Sequence, residues 1–223
     1  HEGAASQTYD YGLVESIATL PSESGEDELY MVVKRTINSA TKRYIERMKP
    51  FDFGEKTTTA FFVDSGLGYS GSSTATLSGL NHLNGQSITG LVNGATHPNR
   101  TVSAGAITLA NNATTAAFGL GYNSQLKTLR IESGSADGTS QGKPKRIHAI
   151  TLRLHETVGV EVGSSTSDVD RIPFRSSATA MGSAIALFTG DKEVEFEGGF
   201  DEDDQIVVRQ SQPLPLTLLA IYP

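Results

Sequence analysis

No stretch of this 223-residue chain sustains the i, i+3, i+4, i+7 apolar spacing of a long helix; its apolar residues fall into short, β-branched runs cut by turn residues. That punctuation, reinforced by 23 glycines, restricts the chain to an all-β fold with little helix. A hydrophobic content of 37% is enough to bury a core, and the length admits one large β domain or two smaller ones. No apolar run approaches the roughly 20 residues of a bilayer-spanning helix, so no membrane span is predicted.

Three segments differ in texture. Residues 1–52 read as a β-sheet or propeller-like piece with strands at 11–20, 28–36 and 41–48 and turns at 21–25 and 37–40. In the second strand Leu29, Met31 and Val33 alternate with Tyr30, Val32 and Lys34, a pattern expected when both faces are covered. Residues 53–133 are rich in Gly, Ala, Thr and Asn and poor in charge. Strands are predicted there at 60–63, 86–92, 100–102, 106–109, 114–120 and 126–132, with hairpin signals at Asn84-Gly85 and Asn93-Gly94. Their near-regular spacing suits a small β-barrel or sandwich module inserted among the other sheets. Residues 134–223 open on a polar loop to 143 and form a C-terminal β domain, with strands at 146–156, 193–197, 205–209 and 216–221 and turns at 159–167 and 198–204. Pro213 and Pro215 donate no ladder hydrogen bonds, so the last strand starts after them or runs along an edge.

Each constellation that could carry chemistry has a competing structural reading. Residues 66–71, GLGYSG, fit the glycine pattern of a dinucleotide-binding turn, but SSTATLSGL follows where a helix would have to begin, so a glycine-rich β connection is expected instead. Of the histidines His1, His82, His97, His148 and His155, only the last two share a short segment, and a spacing of seven in a strand puts them on opposite faces. Asp201, Glu202, Asp203 and Asp204 lack the alternating ligand spacing of a calcium loop and read as a solvated turn. Asn99-Arg100-Thr101 and Asn112-Ala113-Thr114 fit the glycosylation pattern, lie in predicted turns, and read as chance matches. No five-residue window forms a G-x-S-x-G elbow, and there is no cysteine to serve as a thiolate. No catalytic, cofactor-binding or metal-ligating residue is therefore assigned, and the chain is not read as an enzyme. A pair of carboxylates acting on a polysaccharide is the one chemistry that sequence leaves open.

The charge balance, 18 Lys+Arg against 25 Asp+Glu for a formal net charge of -7, is the reverse of a phosphate-gripping surface. Basic residues gather at Lys34, Arg35, Lys42, Arg43, Arg47 and Lys49, interleaved with Tyr44 and Met48. Strand-edge protection or subunit contact is the favoured reading of that cluster over nucleic-acid binding.

Several stretches go beyond composition. DELYMVVKRTINSATKRYIERM at 27–48, with GLVESIATLPS at 12–22 before it, resembles a hairpin of the propeller-like domain in podophage tail nozzle proteins of the tail tubular protein B kind. GLNHLNGQSITGLVNGATHPNRTVSAGAITL at 79–109 and FGLGYNSQLKTLRIE at 118–132 are similar to that family's small β module. Residues 143–163, 188–201 and 209–223 resemble its closing region, and the similarities keep their order along the chain. The resemblance implies a structural protein of the virion. It would form part of a tail tube assembled as a ring, usually a hexamer, below the portal and adaptor, with a lumen through which DNA passes unbound during ejection. It also implies that this chain is the trailing portion of a longer protein. A receptor-binding or fibre-type β module of a phage is the alternative that the low charge and Ser/Thr/Gly-rich strands also fit.

Overall fold

A computed structural model describes residues 12–22, 25–132, 138–202 and 205–223. Among the described residues strands account for 56% and helix for 1%, a 3-10 turn at Asn81–Leu83, so the fold is all-β. Among the described residues fourteen strands form four antiparallel sheets, and none closes into a barrel. The sheets belong to two compact units. One holds the described residues up to 54 and 58–122; the other holds 55–57 and those from 123 onward.

The first unit contains two sheets. β1 (Leu13–Leu20), β2 (Glu28–Ile37) and β3 (Ala40–Arg47) form a meander in that order. The turn joining β2 to β3 has only two residues, Asn38 and Ser39, both with positive φ (51° and 62°), the backbone that matches strand twist in a tight hairpin. The second sheet has the order β4-β7-β5-β6, with β4 at Asp64–Ser78, β5 at Ser87–Val92, β6 at Ala95–Thr101 and β7 at Ala106–Leu120. Asn93-Gly94 makes the expected two-residue hairpin between β5 and β6. Asn84-Gly85 does not join two strands; it follows the 3-10 turn, where the Asn84 side chain accepts from Gly105 N. Ile37 of β2 enters the same buried cluster as Leu80, Leu83, Ile88, Ile107 and Phe118, with Tyr44 of β3 packed against it. The Asn38 side chain bonds Asn84 O and accepts from Gln86 Nε2 at 3.0 Å, so the hairpin tip is tied to the second sheet. Segments that differ in composition therefore share one core.

The second unit is a sandwich. One sheet has the order β12-β9-β14, with β9 at Ala149–Thr157, β12 at Phe188–Glu195 and β14 at Thr217–Tyr222. The other has the order β11-β10-β13-β8, with β8 at Ser124–Lys127, β10 at Glu161–Ser165, β11 at Asp168–Arg171 and β13 at Val207–Gln210. Ile150, Leu152 and Leu154 project from β9 into a cluster with Val162 of β10 and Val208 of β13, so both sheets contribute to one core. β14 begins after Pro213 and Pro215 and lies at a sheet edge, as a strand following two prolines must.

Several sequence expectations need correction. Residues 60–63 are not a strand: Ala60 and Val63 are buried three positions apart, without the alternation that pairing would give. The strand starts at Asp64 and runs through the glycine-rich stretch. Segments 106–109 and 114–120 are one strand, because the polar residues between them stay extended against β4 through register shifts at Ser70/Thr74 and Thr74/Thr76. The strand expected at 126–132 is β8, shorter and earlier, and it pairs with β13 in the second unit rather than with the middle segment. Residues 159–167 are not simply a turn: Val158, Val160 and Val162 alternate into the core and β10 occupies 161–165. β9 alternates as the sequence implies up to Leu154. A bulge at Glu156 (φ 44°) then buries Thr157, whose hydroxyl accepts from Thr217 N at 2.8 Å.

Candidate functional site

The basic cluster of β2 and β3 is mostly neutralised from within. Arg35 sits in phase with Val33 and Ile37, on the buried face of β2, and its Nε and NH2 each donate to a Glu46 carboxylate oxygen at 2.9 Å. The two side chains are only 5% and 17% exposed, so this ion pair is largely desolvated. On the surface Arg43 pairs with Glu15 at 2.6 Å and Arg47 with Glu28 at 2.6 Å, while Lys49 lies 5.7 Å from the Phe61 ring centre. Charges matched this way make β3 a protected sheet edge, not a surface for phosphates.

Around Arg35 the first unit gathers titratable groups far apart in sequence. Burial pushes the Glu46 carboxyl up, but hydrogen bonds from Arg35, the Arg35 charge and a Ser65 contact outweigh it and hold Glu46 below the ordinary carboxylate range. Asp64, at the head of β4, goes the other way: burial raises it, the Arg35 charge opposes, and the negative charge of Glu46 raises it further. Burial and the Asp64 charge together raise Tyr122. His82, from the 3-10 turn, lies 2.7 Å from Ser65 O by its Nε2 and packs edge-on to Tyr44 with ring centres 6.0 Å apart. Two carboxyls driven in opposite directions are what acid–base chemistry requires. Here, however, both oxygens of Glu46 are occupied by Arg35, and the two described cavities lie elsewhere, one beside Leu67, Tyr69 and Phe118 and one beside Arg100 and Thr108. The cluster acts as a polar bridge between the two sheets of its unit.

Among the described residues the second unit holds one buried carboxylate, Glu161, which receives Arg209 at 2.7 Å, Ser211 at 2.7 Å and Arg171 at 3.2 Å. Burial raises its pKa, but these hydrogen bonds and the Arg209 charge prevail and keep it low. Three donors, two of them arginines, hold this carboxylate ionised and fix its orientation between β10, β11 and the end of β13.

The other sequence candidates are dispersed. GLGYSG lies inside β4, where a side chain at Gly66 would bring its Cβ within 2.7 Å of the Phe118 carbonyl oxygen, so the glycine serves close strand packing. His97 is a core histidine: Ala110 N donates to its Nε2 at 2.9 Å, which places the ring proton on Nδ1, donated to Pro98 O at 2.7 Å. His148 precedes β9 and His155 lies on its exposed side; His1 falls outside the described residues. Among the described residues no three His, Asp or Glu side chains form a group able to hold a metal. Asp201 pairs through its backbone with Lys145 and Glu202 is exposed, while Asp203 and Asp204 lie outside the described residues. Asn99 and Asn112 sit within β6 and β7, not in turns.

The sequence reading missed the Arg35 bridge, although the phase of β2 carried its signal: a long cation at an inward position demands a buried acid. No protein-family model and no curated protein matches the chain.

Proposed function

We propose that this chain is a structural component of a tailed-phage virion, a segment of the tail tube or nozzle that conducts DNA during ejection, built to associate with further copies of itself. The observation that carries the proposal is β1. It is an edge strand whose eight residues are all exposed, among them Leu13, Val14, Ile17 and Leu20. Edge strands of soluble domains are ordinarily blunted by charge, as β3 is, and an apolar edge with which no described strand pairs suits a neighbouring subunit. The all-β architecture and the ordered resemblance along the chain support the same reading, and the net charge of -7 suits a wall along which DNA moves without adhering.

Antibody raised against the chain tests the proposal in purified phage particles. Gold label at the narrow tail below the portal is the expected result. Label confined to peripheral fibres would replace it with the receptor-binding alternative, and absence from particles would end both.

A further inference from the structure

β6 and β7 are joined by a two-residue turn, Ala104 and Gly105 (φ 50° and 72°), closed by the Ser103–Ala106 bridge. They do not continue as a hairpin. β7 turns to pair with β4 and then β5, while β6 pairs only with β5 and forms the sheet edge. The two strands consequently diverge from their turn. The cleft between them holds about 380 Å³ and is lined by Arg100, Thr101, Ser103, Ile107, Thr108 and Leu109. Beyond it the contact from Ala110 N to His97 Nε2 ties the strands together again.

Arg100 is the feature of this cleft that the fold does not explain. It stands directly opposite Ile88, which is fully buried, so its stem leaves β6 on the core side. Its Nε is buried and has no hydrogen-bond partner. Among the described residues no carboxylate pairs with it, although acidic residues outnumber basic ones in the chain and Arg35, Arg43, Arg47, Arg153, Arg171 and Arg209 all have such partners. Arg100 as a whole is only half-buried and lines the cleft, so its guanidinium meets the cleft without a carboxylate partner, and the group that matches that fork best is an oxyanion.

We propose that this cleft is a binding site for a small oxyanion, a phosphate or a carboxylate, held by Arg100 with the hydroxyls of Thr101, Ser103 and Thr108 at its rim. The site goes beyond the tail-tube reading and does not depend on it. No acidic residue lines the cleft, which leaves the cation's charge for the ligand.

The test follows the Arg100 Nε–H resonance by NMR while inorganic phosphate, acetate and chloride are added separately at constant ionic strength. The resonance is identified by its loss in Arg100→Lys. A saturable shift with phosphate or acetate, absent with chloride, is expected, and the tighter of the two identifies the source. Arg100→Gln should weaken binding about tenfold or more, as removal of a charged hydrogen bond does. If that variant fails to fold, the wild-type titration decides alone. A common linear drift in all three salts, or no shift at all, would overturn the proposal.

Discussion

At the residue scale, the buried charges Arg35 and Glu161 are both held in ion pairs, and the pairs set the most specific expectations. Removing Arg35 leaves Glu46 desolvated and alone, so Arg35→Ala should cost about 3–5 kcal/mol in chemical denaturation. The double variant Arg35→Met, Glu46→Leu should recover most of that loss, because two apolar side chains carry no desolvation penalty. A loss in the double variant as large as in the single one would show that shape, not charge, holds the site. His97 gives a pH signature. Burial, with the Arg100 charge adding to it against the bond to Pro98, lowers its folded pKa below 6.5. The unfolded chain therefore takes up a proton first as pH falls. Stability from this group is complete above about 6.5 and declines below it, because a protonated Nε2 cannot accept from Ala110. Glu46 and Glu161, held below 4.5, lose their contribution only in a lower window. His97→Gln should flatten the melting temperature between pH 6.5 and 5 while leaving the fall below 4.5 in place.

At the scale of elements, alternation was readable wherever a strand buries one face. β9 could be placed within three residues because Ile150, Leu152 and Leu154 are all inward, and Leu152→Ala in this central strand should cost about 2–5 kcal/mol on unfolding. β4 escaped the sequence because it is an edge strand of Gly, Ser and Thr whose burial comes from close backbone approach and not from side-chain volume. β10 was hidden for a different reason: its first half carries the valine alternation, but its second half, Gly163–Ser165, has the composition of a turn. Long-range pairs such as Arg35 with Glu46 depend on register, and register is fixed by the Asn38-Ser39 turn, one residue tighter at each end than composition suggested. β1 makes an opposite kind of prediction. Ile17 is 67% exposed, so Ile17→Lys should change the stability of a lone chain by no more than about 0.5 kcal/mol, yet weaken association between copies. An unchanged assembly state would remove β1 from the interface.

At the scale of the whole molecule, the all-β class expected from the short β-branched runs is the class observed. Four open antiparallel sheets leave edges that a closed barrel would not, and one of them, β1, presents apolar residues on an unprotected strand. A heterologous contact at such an edge generates a ring when its rotation closes. The most direct measurement is therefore the native mass of the whole protein, with electron microscopy of the same sample. A closed ring of several copies around a channel wide enough for duplex DNA is the result that the proposed function predicts; a monomer at every concentration, or a three-fold spike without a channel, would contradict it.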